Sequence, residues 1–423
     1  MKNEDIIIVG AGASGLMAAY TLSKAGKKVT ILEARDRIGG RIHTIANESF
    51  FKQAELGAEF VHGNLPVTLQ LLKQAGIEYV SAEGEMWHYR DGRLNKDSWE
   101  IEGWDKMMDK LSRLDHDISI GDFLQESFGG DKYAALRDSI SRYVAGYDTA
   151  DPFMASAFAL REEWENEDEN AQYRIKGGYC RLMNYLADEC RTNGAKLLLT
   201  AEVREIHWGN KGAEVVIEDG KIYSASKLIV ALPLGVLQRN AVTFHPEIGK
   251  HGDALKQIGF GAIVKLLFQF KDRFWEGEET SRVGFVLSAE EIPTWWTQYP
   301  THSMVLTGWL GGPPAENKKH LPDSEFLRLG IRSLANIFKR KESDLKNNLV
   351  SWKIVNWTTD PFTRGSYAYD MVGSHEARKI LEEPVDNTIY FAGEYLYEGP
   401  AMGTVEAALS SGLDAAKKVI GLA

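Results

Sequence analysis

Short apolar runs and helical spacings alternate along the chain in a regular order. Ile6-Ile7-Ile8-Val9 makes residues 5–9 a strand with no polar face. From Gly15 to Ala25 the spacing is helical, with Leu16, Ala19 and Leu22 on one face and Gly26 as the stop. Val29 to Leu32 follows as a second strand, so the chain opens as a βαβ unit. Three β-rich runs, 196–199, 213–217 and 227–232, separated by glycine and charged turns, predict a strand-rich return to that first domain. A last strand is expected at 388–392 and a helix over 405–420.

The stretches between these returns differ in character. Ten of the eleven tryptophans lie within 75–169 and 249–379, a bias that suits a unit walling a cavity with rings. We therefore expect one domain from 1–74, 170–248 and 380–423, and a second from 75–169 and 249–379. A chain of 423 residues exceeds what a single core usually fills, which agrees with two domains. The formal charge of -11 disfavours nucleic acid and anionic membrane as partners and mildly favours a cationic ligand. The first apolar run is too short for a signal-peptide core or a membrane span, so a cytoplasmic protein is expected. Cys180 and Cys190 read as small buried hydrophobes, and the acidic run Glu162 to Glu169 as a solvated loop.

Gly10-Ala11-Gly12-Ala13-Ser14-Gly15 lies between the predicted strand and helix, the context that gives a G-x-G-x-x-G run its meaning. Gly10 permits the tight turn, Gly12 lets backbone approach a pyrophosphate, and Gly15 allows close helix-strand packing. The helix N-terminus then offers N–H groups to phosphate. Glu33, ending the second strand, is placed to accept hydrogen bonds from an adenosine ribose. FAD and NAD share this half, so the cradle alone does not separate them. The following segment, Ala34-Arg35-Asp36-Arg37-Ile38-Gly39-Gly40-Arg41-Ile42-His43-Thr44, has a glycine pair that permits close approach and Arg35 and Arg41 that can neutralise phosphate, and nicotinamide Rossmann folds have no need of it.

Beyond that segment the sequence resembles the flavin-dependent amine oxidase family, which includes monoamine oxidases, polyamine oxidases and flavin histone-lysine demethylases. The resemblance rests on Glu33-Ala34-Arg35 through Gly39-Gly40-Arg41, Leu56-Gly57-Ala58-Glu59-Phe60-Val61-His62-Gly63, Gly177-Gly178-Tyr179, Val203-Arg204-Glu205-Ile206, Ala231 to Leu237, Lys265, Trp357 to Tyr367, and Phe391-Ala392-Gly393-Glu394. It implies an α/β fold: a discontinuous Rossmann-type FAD-binding domain with an inserted α+β substrate domain. Leu56, Gly57, Ala58, Glu59, Trp357, Gly393 and Gly403 would then lie on the cofactor side. Val203 would meet the adenine through its backbone, and Glu394 would lie beside the pyrophosphate and ribityl chain. The helix from Thr404 or Val405 would aim its N-terminus at the flavin, where partial positive charge stabilises the reduced ring.

Lys265, inside the apolar run Val264 to Phe268, needs a partner or a wet pocket. Its family counterpart holds a water at flavin N5. Tyr367 matches one wall of the family's aromatic cage, which orients amines by cation–π contacts. The run 357–367 is closest to polyamine oxidases and demethylases. Ser366 stands where monoamine oxidases carry a flavin-linked Cys, so a non-covalent FAD is implied. The second cage ring should fall just before Gly403, but Glu398-Gly399-Pro400-Ala401-Met402 has none there; either the cage has one wall or a Trp from the other domain supplies it. His62 matches a position near the polyamine oxidase substrate channel, where a neutral imidazole accepts a hydrogen bond from an amine. Glu59 is a candidate counter-ion.

The expected reaction is hydride transfer from the carbon beside a neutral amine nitrogen to FAD, giving an imine, with O2 reoxidising the cofactor to yield H2O2. No catalytic base is required. An L-amino acid oxidase of the same fold would need an Arg clamp, with Arg161 and Arg174 as candidates. A flavin-bearing scaffold without turnover is the rival from another class. Desaturase-like and nicotinamide-coupled flavoenzymes fit less well, since Gly259-Phe260-Gly261 lacks a third glycine. No metal site is expected, because His375-Glu376 lacks the second His of a zincin motif. A homodimer is compatible with the sequence.

Overall fold

The computed structural model describes residues 5–47, 51–63, 65–82, 84–96, 101–166, 172–399 and 401–422. Trp99, Pro400 and Glu167 to Glu169 lie outside the described residues. The first strand, Asp5–Val9, runs parallel between Lys28–Leu32 and Lys227–Val230. Lys196–Leu198 and Ile389–Phe391 extend the sheet to five strands. Ile6 to Val9 are all buried, as a parallel strand covered on both faces requires. On one side Ala13–Lys24 packs against Val405–Ile420 and Cys180–Thr192, sharing Leu16, Leu22, Leu186 and Leu409. On the other, Ile7, Val9 and Leu228 meet Ile206 and Val215 of a four-stranded sheet.

A second sheet of seven strands holds Ile263–Phe270 near one edge, between Leu349–Asn356 and Val305–Gly311. The helix Asp323–Ile337 closes one face, where Phe326, Leu334 and Trp295 pack on Leu266 and Phe268. Ile120–Ser127, Ala134–Gly146 and Ala157–Asn166 form a helical cluster beside it. The last of these corrects the acidic-loop expectation: Ala157, Leu160 and Trp164 recur at helical spacing and pack inward, so Glu162, Glu163 and Glu165 ride on a helix. Among the described residues no helix is long and apolar enough to cross a membrane.

The loops leaving the C-terminal ends of Asp5–Val9 and its parallel neighbours open towards the seven-stranded sheet. One cavity of about 1600 Å³ occupies that space. Crevices at this end of a parallel sheet, where neighbouring strands lead away in opposite directions, are the usual ligand sites of such folds.

Candidate active site

The cavity begins at the glycine turn. Gly10 has φ +104°, and a Cβ there would lie 2.6 Å from the Ala231 carbonyl oxygen. A Cβ on Gly15 would meet the Gly10 oxygen at 2.0 Å, so both glycines are needed for the turn to close on the helix. Gly12 differs: a Cβ there meets nothing within 4 Å and would project into open space. That is where the sequence places the approach of a phosphate group to backbone. Gly12→Val is therefore expected to leave the fold intact and abolish FAD retention, giving a folded but colourless protein; full flavin loading of that variant, read as absorbance per mole, would refute the assignment. Gly15→Ala should instead destabilise the protein itself.

Glu33 is held for its task by two backbone donors, Ala11 N at 2.7 Å and Arg35 N at 2.9 Å. Burial raises its pKa, against these bonds, which favour the charged form. Each carboxylate oxygen retains acceptor capacity for a ribose hydroxyl. Arg41 donates to Glu394 at 2.8 Å and to the Ser366 carbonyl at 2.6 Å, so the two predicted charges form a pair on the cavity wall. Arg35 departs from expectation. Its guanidinium is committed to Asp360, at 2.5 and 3.2 Å, and to Thr363, and it lies over the Phe362 ring. It shapes the wall rather than offering an unneutralised charge.

Thr404 caps the C-terminal helix, its hydroxyl accepting from Ala407 N at 3.3 Å, and Gly403, Thr404 and Val405 all border the cavity. Gly403 has φ +73°, and a Cβ on it would press to 2.9 Å from the Tyr367 ring, so the glycine makes room for the tyrosine. Glu406, one residue further into the helix, reaches across to Val67 N, Thr68 N and the Thr68 hydroxyl at 2.7–2.8 Å. This carboxylate serves the N-terminus of another helix, Pro66–Gln74.

Lys265 is 1% exposed and donates to Glu59 at 2.7 Å and to the Gly57 carbonyl at 3.1 Å. The strand is paired on both sides and the side chain is buried, so the lysine has no outward route, and its third N–H remains for the cavity it borders. Glu59 also accepts from Arg174, from Trp296 Nε1 at 3.0 Å and from Gln298 at 3.2 Å. Burial alone would raise its pKa; Lys265, Arg174 and the hydrogen bonds from Lys265 and Trp296 outweigh that and hold it at about 2. Glu59 is thus the anion shared by two buried cations.

Aromatic side chains complete the chamber. Phe60, Phe285, Trp296 and Trp309 border the cavity with neighbouring centroids 5.6–6.2 Å apart. Tyr367 donates its hydroxyl to the Tyr147 carbonyl, and burial raises its pKa well above the ordinary value, with Asp148 and Glu163 near enough to add to the shift. Both acids border the same cavity. His62 also borders it, and burial lowers its pKa to about 4, so the ring is neutral at neutral pH. Where the second cage ring is missing, Ala401 and Met402 form the wall.

Of the residues singled out from sequence, Gly10, Gly12, Ala13, Ser14, Glu33, Ala34, Arg35, Gly40, Arg41, Gly57, Ala58, Glu59, His62, Val203, Lys265, Trp357, Tyr367, Gly393, Glu394, Gly403, Thr404 and Val405 all border this one cavity. Gly15 packs behind it, and Leu56 is a correction: its side chain is buried with Ala54, Leu267 and Val305 away from the cavity, while its N–H donates to the His43 carbonyl at 2.8 Å and its carbonyl accepts from Trp357 Nε1 at 2.9 Å. Arg161 and Arg174 do not border the cavity; Arg161 donates to the Leu111 carbonyl, and Arg174 is held by Glu59, Gln298 and Thr297. Neither cysteine borders it. Sequence reasoning passed over Trp296, Trp309, Asp148 and Glu406. The Trp bias pointed to the first two only as a group.

A volume of about 1600 Å³ exceeds the roughly 300–1000 Å³ usual for one small ligand. The cavity has space for a dinucleotide and a second molecule, with the glycine turn at one end and rings at the other. The family model described as flavin containing amine oxidoreductase matches residues 13–420, and the chain belongs to that family, with FAD as its cofactor. It is 28% identical to human lysine-specific histone demethylase 2 over 93% of the chain and 50% of that protein. It is 27% identical to polyamine oxidase 4 of Oryza sativa subsp. japonica over 97% of the chain and 87% of that protein. The chain spans about half the length of several of the demethylases it matches. Two solved structures share its fold over 99% of both chains at TM-score 0.82: putrescine oxidase bound to putrescine, 23% identical, and cyclohexylamine oxidase from Brevibacterium oxydans IH-35A, 20% identical.

Proposed function

We propose that the protein oxidises an amine carrying a second positive charge to the imine, and that O2 accepts the electrons to give H2O2. The observation that carries this reading is the single cavity in which the dinucleotide cradle meets Lys265, Tyr367 and the acids Asp148 and Glu163. FAD, when bound, supplies the acceptor for the hydride from the carbon beside the amine nitrogen, and the N–H proton leaves to water. The chain's own part is to bind, orient and keep the site dry.

The rings of Tyr367, Trp296 and Trp309 favour an amine stripped of its hydration, and a deprotonated nitrogen has the lone pair that C–H cleavage needs. Neutral His62 accepts a hydrogen bond without adding a repelling charge. Lys265 places a fixed positive charge in the dry region, which favours electron transfer to oxygen as negative charge builds there. Asp148 and Glu163, near Tyr367, match a second cationic centre further along the substrate. The likeness to polyamine oxidase 4 and the fold shared with putrescine oxidase support this class. Arg161 and Arg174, the two candidates for clamping an amino acid carboxylate, are held by other partners and do not border the cavity.

Anaerobic mixing with a linear diamine, an aromatic monoamine and an L-amino acid tests the reading, with flavin absorbance followed in time. Bleaching is expected fastest with the diamine, and bleaching by none of the three would leave the scaffold alternative standing. Asp148→Asn is expected to raise KM for the diamine by about tenfold, the effect of one lost charge pair worth ~1.4 kcal/mol, with a smaller change for a monoamine. Equal changes for both substrates would remove the second charge from the proposal.

A further inference from the structure

On its solvent-exposed face, the four-stranded sheet carries a cluster of three ligand-bearing side chains. Val203–Gly209 pairs in parallel with the edge strand Thr243–His245, which puts His207 directly beside His245. Glu205 precedes His207 by two residues and projects to the same outer face, while Ile206 between them is buried. The backbone register therefore fixes three ligand-bearing side chains on one exposed patch. The Glu205 carboxylate is 2.9 Å from His207 Nε2 and 3.8 Å from His245 Nε2, and one ligand atom from each residue lies within 4.8 Å of the others. The two imidazoles face each other with centroids 4.7 Å apart. On the far side of His207, Glu214 of the neighbouring strand is its cross-strand partner and also exposed.

We propose that Glu205, His207 and His245 form a surface site for a divalent late transition metal ion, separate from the amine-oxidation site. Bonds of about 2.1 Å to nitrogen and oxygen separate neighbouring ligand atoms by roughly 3 to 3.4 Å. The Glu205–His207 edge is already near that length, and the His245 edge closes by a small rotation of an exposed side chain. Two imidazoles and a carboxylate suit Zn2+, Cu2+ or Ni2+ rather than Mg2+ or Ca2+, which prefer all-oxygen shells. Three protein ligands leave a position for water, and Glu214 adds negative charge beside it. The ion would tie an edge strand of three residues to its neighbour. Val203, at the start of one strand, and Val242, just before the other, both border the cavity, so the tie braces one end of it from outside.

The test uses the FAD-loaded protein stripped with chelator and titrated calorimetrically with Zn2+. One equivalent is expected at micromolar affinity, weakened at least tenfold in His207→Ala and again in His245→Ala. All three ligands are exposed, so these variants keep the fold. His375→Ala, which removes an exposed two-member His–Glu pair, should leave the titration unchanged. With Cu2+ as probe, electron paramagnetic resonance should show coupling to two nitrogens. Absence of saturable binding, undiminished binding in His207→Ala/His245→Ala, or coupling to fewer than two nitrogens would each overturn the site.

Discussion

Glu59→Ala is expected to lower the free energy of unfolding by about 3–5 kcal/mol, the cost typical of removing one partner from a buried ion pair. The loss arises because Lys265 and Arg174 would stay buried without their shared anion, while Trp296 Nε1 and Gln298 would lose an acceptor. Urea unfolding followed by circular dichroism measures it, and a change below about 1 kcal/mol would show that water enters and replaces the carboxylate. The charge origin can be separated from packing: adding Lys265→Met to Glu59→Ala removes one of the two stranded cations and should restore part of the loss. The same group sets an acid limit. Its folded pKa of about 2 lies below the ordinary 4.5, so its contribution is fully present above about pH 4.5 and disappears as pH falls towards 2.

In Lys265→Met we expect the two half-reactions to part company. The length and apolar stem are kept, so amine binding and flavin bleaching should change by no more than a few-fold. Reoxidation by O2 should slow by about 10²–10³, the usual effect of deleting one preorganised electrostatic stabiliser. Stopped-flow mixing of the reduced variant with oxygenated buffer separates the two. Unchanged reoxidation would assign Lys265 a structural role as the counter-charge of Glu59 alone.

These two residues also show where the sequence stops being readable. Lys265 stood out because an ammonium within Val264 to Phe268 conflicts with the local apolar pattern, and a conflict of that kind needs only neighbours to be seen. The glycine turn and Glu33 were legible for the same local reason, as were the strand at 227–230 and the helix at 405–420. Glu59 was visible only as a candidate counter-ion, because its partners are Arg174, Lys265 and Trp296, from three strands far along the chain. Arg35 shows the opposite case. Its place beside the cradle suggested phosphate, but Asp360 arrives from 325 residues away and takes the guanidinium first. The absence of a ring from the segment before Gly403 was local and could be read from the sequence, while the identity of the rings that wall the chamber depended on the register of Thr294–Trp296 against Val305–Gly311. The helix at 157–166 was missed despite a readable apolar seam, because its acidic residues dominated the reading.

Glu406 has a mechanical consequence. By gripping Val67 and Thr68, it rivets the cavity end of the C-terminal helix to the start of Pro66–Gln74, and the short stretch before that start carries His62 and Leu65, both on the cavity wall. A shift of Thr404 and Val405 is therefore expected to reach the start of Pro66–Gln74 across the two helix ends rather than along the intervening chain. Two helix ends 338 residues apart in sequence are thereby expected to move as one.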